Sequence, residues 1–127
     1  MADVNRGNRP LSPHLSIYRP QLGSTTSIFA RITGVALLGA AFLVIWWFLA
    51  AASGAEYFNF VNWLLTSFIG DIVMFMALWA VCYHFLSGLR HLYWDTGRGF
   101  EIAQAERLAK IVIFGSGILA ILVAVIV

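Results

Sequence analysis

Ile32 to Ala52 is a run of 21 residues without one charged side chain. As a helix it is about 32 Å long, which matches the hydrocarbon core of a bilayer. Ile72 to Leu89, 18 residues, holds no ionisable group except Cys82, Tyr83 and His84, and can extend back through Asp71 to about Trp63. Ile111 to Val127, 17 residues, is uncharged and can start earlier, near Arg107. The alternating segments of roughly ten residues that build a membrane barrel do not occur. These runs predict an all-α membrane protein with three transmembrane helices. The expected organisation is one domain over 1–127, with a tail at 1–22 and spans at 23–53, 62–92 and 104–127.

Composition agrees, with 61% of the 127 residues hydrophobic and 11% charged. Soluble domains are nearer half apolar and about a quarter charged, and disordered chains need the opposite bias. A net charge of +2, with no basic patch interleaved with aromatics, argues against a nucleic-acid partner. The single cysteine, Cys82, cannot close an internal disulfide and reads as a small buried hydrophobe. The first residues show neither a secretory signal nor an Arg- and Ser-rich transit peptide, so a bacterial chain is expected rather than an imported organellar one.

Charge placement predicts orientation. Arg6, Arg9, Arg19 and Arg31 precede or open the first span; Arg90, Arg98, Arg107 and Lys110 lie at or between the second and third. The first connection, Ser53 to Asn62, has no basic residue and carries Glu56. The positive-inside rule then puts the N-terminus and second connection in the cytoplasm of a bacterial inner membrane. Tyr57, Phe58, Phe60 and Trp63 would form the outer aromatic belt, with Tyr93 and Trp94 in the inner one. In the tail, Arg6 to Gln21, Pro10, Pro13 and Pro20 impose an extended or turned chain, either solvated or lying against a partner.

Ionisable groups at membrane depth are costly, so their positions are informative. His84 precedes Arg90 by six residues, which places it about 9 Å inside the basic boundary. His84 and His91 are seven apart, so they share a face roughly 10.5 Å from one another. Ser87, Gly88 and Asp95 are read onto that face, with Gly88 clearing space for something flat. Neutral imidazole ligates haem iron axially, so His84 suits a haem b whose carboxylates point to the basic side. A histidine bonded to a neighbouring helix, with Gly88 allowing close packing, fits the spacing too. With one deep histidine, a bis-His haem would need its second ligand from another chain. Ser27 and Arg31 also share a face, with Gly34 on it at i+7. They could donate hydrogen bonds to a carbonyl or a quinone head group. Equally, Ser27 could cap a helix and Arg31 could snorkel to lipid phosphate. His14 reads as exposed, and Asp71, about 140° off the His84 face, as an outer-interface residue or a helix N-terminal charge.

Three segments carry a family likeness: Arg9-Pro-Leu-Ser-Pro-His-Leu-Ser-Ile-Tyr18-Arg-Pro-Gln, Ser27-Ile-Phe-Ala-Arg-Ile-Thr-Gly34, and His84-Phe-Leu-Ser-Gly-Leu-Arg-His91-Leu-Tyr-Trp-Asp95. They resemble the cytochrome b556 membrane-anchor subunits of succinate dehydrogenase, in the alphaproteobacterial and mitochondrial branch. The resemblance covers nearly the whole chain. It implies half of a haem-binding helical bundle, completed by a second anchor subunit that supplies the other axial histidine. It implies His84 as axial ligand of haem iron, and Arg31 and His91 near the haem propionates. It also implies Ser27 and Arg31 as ubiquinone ligands, and Asp95 near the quinone pocket. Partners so implied are an iron–sulfur subunit and a flavoprotein subunit, in a complex of the tricarboxylic acid cycle and aerobic respiratory chain. Where family members commonly have His, this chain has Ala30, so propionate anchoring would fall to Arg31 or to a partner. The chain has no dinucleotide-binding glycine motif and no cysteine cluster, so flavin and iron–sulfur chemistry must reside elsewhere. A haem-free structural anchor, a small transporter subunit and a fumarate reductase running in reverse are the competing readings.

Overall fold

The computed structural model describes His14 and residues 17–127. The readings made on Arg6, Arg9, Pro10 and Pro13 lie outside the described residues. Four helices follow in order: α1 (Leu22–Ser53), α2 (Ala55–Leu65), α3 (Phe68–Asp95) and α4 (Ile102–Ile126). Three of them, α1, α3 and α4, are long and apolar enough to cross a membrane. No strand occurs among the described residues.

The interior inverts the soluble pattern. Buried side chains are small or weakly polar: Thr26, Thr33, Ala80, Ser87, Ala109 and Ser116. Large apolar side chains point outward, as with Phe42, Phe114 and Leu38. Water supplies no drive to bury apolar groups inside a bilayer, so close helix approach favours small residues at the seams. Their hydroxyls are satisfied locally: Thr33 Oγ1 donates to Phe29 O at 2.8 Å, and Ser116 Oγ to Ile113 O at 2.9 Å.

The first connection differs from the expected loop. It is a helix, α2, set off from α1 by Gly54 at φ 135°, where L side chains are strained. Val61 is fully buried, Trp47 Nε1 donates to Asn62 Oδ1 at 3.2 Å, and Trp46 Nε1 donates to Tyr57 Oη at 2.8 Å. The second spanning helix begins at Phe68, not at 62. The reason lies in Thr66 and Ser67. Thr66 Oγ1 donates to Asn62 O at 2.8 Å and Ser67 Oγ donates to Leu64 O at 2.7 Å, closing off α2. Ser67 Oγ then accepts Gly70 N at 3.2 Å and caps α3. Asp71 sits in that first turn, where a negative charge is favoured.

α3 and α4 pack as an antiparallel pair, with Gly115 letting Leu86 approach, and α1 lies against α3. The starts of α1 and α4 and the end of α3 share one end of the bundle. That end carries Arg19, Arg31, Arg90, Arg98, Arg107 and Lys110, and is called the basic end below.

Candidate functional site

α3 turns two neighbouring side chains to opposite sides of its seam with α1. Tyr83 is buried; His84 is exposed along the open side. The His84 ring is nevertheless fixed. Its Nδ1 lies 3.1 Å from Ala30 O and 3.5 Å from Thr33 Oγ1, both on α1. The Thr33 hydroxyl is already committed as donor to its own helix, so the carbonyl of Ala30 is the stronger partner. A carbonyl only accepts, so the contact needs the proton on Nδ1, and in the neutral ring Nε2 then keeps its lone pair. Among the described residues no hydrogen bond reaches Nε2.

Gly34 makes this seat possible. A Cβ there would stand 3.0 Å from His84 Cε1 and 3.5 Å from Nδ1. Ser27 lies seven residues before Gly34 and thus on the same face of α1, with Arg31 about 60° further round. Gly34 touches His84, so the Ser27–Arg31 pair and the His84 face, two separate patterns in the sequence, lie on one side of the α1–α3 seam. Ser27 is half-buried and Arg31 exposed. Helix α1 begins at Leu22 with Gln21 as its N-cap, which removes the capping reading of Ser27.

On α3, Gly88, His91 and Asp95 are exposed with His84. A Cβ at Gly88 would meet nothing within 4 Å. His91 Nδ1 is held by Ser87 O at 2.6 Å, and its ring lies 5.3 Å from that of Trp94. Ser87 departs from the expected face. It is 2% exposed and points into the bundle, because a residue at i+3 lies about 60° round the helix, toward α1. Cys82 is buried, Asp71 and His14 are exposed, and no cluster of three metal-ligating side chains occurs among the described residues.

The polar core at the basic end was not singled out from the sequence. Tyr83 Oη donates to Thr26 O at 3.0 Å, and Arg90 Nη1 donates to Thr26 Oγ1 at 2.8 Å. Arg90 is 4% exposed and stacks over Trp94, 4.8 Å from the ring centroid. The available signal was the seven-residue spacing of Tyr83 and Arg90, which puts both on one face, about 100–120° from His84.

What this arrangement offers chemically is one oriented imidazole nitrogen, open to a ligand from outside the chain and short of the ligands needed to enclose a metal. The residues present fit a single histidine ligand to a metal: such histidines commonly give their other ring N–H to a backbone carbonyl. Residues 5–124 match the family model of the succinate dehydrogenase/fumarate reductase transmembrane subunit. The succinate dehydrogenase cytochrome b556 subunit of Paracoccus denitrificans is 48% identical over 99% of this chain and 97% of its own length. The cytochrome b556 subunit of Rickettsia bellii is 40% identical over 90% of this chain and 89% of its own. The cytochrome b560 subunit of Marchantia polymorpha is 42% identical over 91% and 88%.

Proposed function

From its membership of the succinate dehydrogenase/fumarate reductase transmembrane subunit family, to which this chain belongs, we propose that it is the haem b-binding membrane anchor of a succinate dehydrogenase in a bacterial inner membrane. The relatives' names, cytochrome b556 and b560, support a b-type haem. The observation that carries the reading is the Nδ1 contact of His84 with Ala30 O at 3.1 Å, with Nε2 left available on an exposed face. His84 would hold the haem iron through Nε2, and a second anchor subunit would supply the other ligand. Haem b, when bound, supplies a site that takes up and returns one electron.

The chain's own residues act around that group. The Ala30 carbonyl fixes the orientation of the His84 ring through its contact with Nδ1. Gly34 keeps the ring seated, and Gly88 clears the face beside it. Arg31 and His91 serve the propionate region; with alanine at 30, the only side-chain cation at that turn of α1 is Arg31. Ser27 donates a hydrogen bond to a ubiquinone carbonyl, and Arg31 stabilises the negative charge that builds on that oxygen during reduction. Basic residues at the same end, with the N-terminus on the cytoplasmic side, dock the iron–sulfur and flavoprotein subunits in which succinate is oxidised. The same charges satisfy insertion.

Two variants of the assembled complex test this. His84→Ala abolishes or shifts the reduced-minus-oxidised bands of haem b; an unchanged spectrum removes His84 as ligand, and a wild-type complex without those bands is a haem-free anchor. Arg31→Ala lowers ubiquinone reduction while succinate oxidation by a dye acceptor persists. Equal loss of both activities indicates failed assembly instead.

A further inference from the structure

Thr26 is fully buried and held twice by α3. Its carbonyl accepts from Tyr83 Oη, and its hydroxyl accepts from Arg90 Nη1. The hydroxyl's own proton goes back to Leu22 O or Gly23 O, each at 3.0 Å. Burying Arg90 is costly. Its Nε has no partner among the described residues, and the hydroxyl it bonds is neutral. Membrane insertion does not require this, since an exposed arginine that snorkels fulfils the positive-inside rule at lower cost. Trp94, under the guanidinium, donates Nε1 to Gly99 O at 3.1 Å, which ties the same cluster to the α3–α4 connection.

The two bonds on Thr26 fix both the rotation and the height of the first turns of α1 against α3. Ser27 is the next residue, Arg31 follows one turn on, and His84 is the neighbour of Tyr83. We infer that Thr26, Tyr83 and Arg90 form a positioning clamp that sets the Ser27 hydroxyl and Arg31 guanidinium in register with the His84 ring. This rests on the proposed quinone role of Ser27 and Arg31. The lever is short and steep. A 20° rotation of α1 moves a group about 5 Å from the axis by roughly 1.7 Å. Misplacement of about 1 Å costs up to about 100-fold where geometry decides a rate.

The test uses the whole complex in membranes. Thr26→Val keeps shape and deletes the hydroxyl; Thr26→Ser restores it; Tyr83→Phe deletes the other bond. The expected result for Thr26→Val is a fall of about tenfold in kcat/KM for ubiquinone, with dye-linked succinate oxidation and haem content at wild-type level. Thr26→Ser recovers the quinone kinetics, and Tyr83→Phe moves them in the same direction as Thr26→Val. If Thr26→Val does not assemble, Tyr83→Phe decides alone. Wild-type quinone kinetics in the assembled variants, while Ser27→Ala is impaired, overturn the clamp and leave the quinone assignment standing. If Ser27→Ala and Arg31→Ala are also silent, the quinone assignment falls and the clamp with it. Parallel loss of quinone and dye activities in Tyr83→Phe reduces the cluster to a structural contact.

Discussion

Gly34→Ala tests the seat of the histidine without touching the histidine. The added methyl would lie 3.0 Å from His84 Cε1, 3.5 Å from Nδ1 and 4.0 Å from Nε2. Non-bonded carbons settle at about 3.5–4.0 Å, so the ring must withdraw by roughly 0.5–1 Å. Withdrawal is away from α1, because the methyl stands on α1. The Nδ1 contact with Ala30 O, now 3.1 Å, then opens to about 3.6 Å or more, which is no longer a hydrogen bond. Such a bond contributes about 1 kcal/mol, or roughly fivefold in the population of the correctly oriented ring. Losing the outer partner of a ligating histidine costs about 10–100-fold in metal affinity. Alanine is the better helix former by about 1 kcal/mol, so the thermal stability of α1 is the wrong readout. Haem per assembled complex, together with the reduced-minus-oxidised spectrum, is the right one. Gly34→Ala lowers haem content or shifts the bands, and Gly34→Val does so more strongly. A Gly34→Val complex that assembles with wild-type haem content and spectrum would refute the claim that this glycine seats the ligand.

Two further perturbations separate the face from the frame. Gly88→Leu fills the cleared face beside His84, where nothing in this chain stands within 4 Å; the chain inserts normally but the complex is isolated without haem, as read by optical spectroscopy. Ser67→Ala removes the α3 cap to Gly70 N and costs about 1 kcal/mol. That loss lowers the thermal midpoint of the purified complex and leaves haem spectrum and quinone kinetics unchanged.

The three spans were legible because bilayer thickness writes itself into run length, and no tertiary contact can override a 21-residue uncharged stretch. The break before Phe68 was not. Asn62 to Ser67 is apolar enough to continue a helix, and the stop comes from two hydroxyls turning back onto the carbonyls of Asn62 and Leu64. Such local bonds carry no periodicity. Among site residues, the shared face of His84, Gly88, His91 and Asp95 could be read from the 100° step alone. The joining of that face to Ser27 and Arg31 could not, because it depends on which side of α1 meets α3. Gly34 held the clue: a glycine one turn past Arg31 reads as ordinary helix packing until His84 is found beside it. Ser87 misled for the opposite reason. A residue at i+3 is a neighbour along the surface, and at a narrow seam about 60° is enough to move it from the open side to the buried one.

The burial pattern itself separates two jobs on one helix. The polar groups of α3 that turn inward, Tyr83 and Arg90, meet α1 through hydrogen bonds at 3.0 and 2.8 Å. Those that turn outward, His84 and His91, are fixed at Nδ1 by backbone carbonyls. A side chain left polar toward lipid is expensive, and a long flexible one can reach the interface, but an imidazole tethered at Nδ1 cannot. An orienting bond on an exposed ring therefore makes physical sense when the ring's other nitrogen meets something brought by another molecule. We therefore propose the open face of α3, rather than its packed one, as the place where a ligand and a second anchor chain meet this protein.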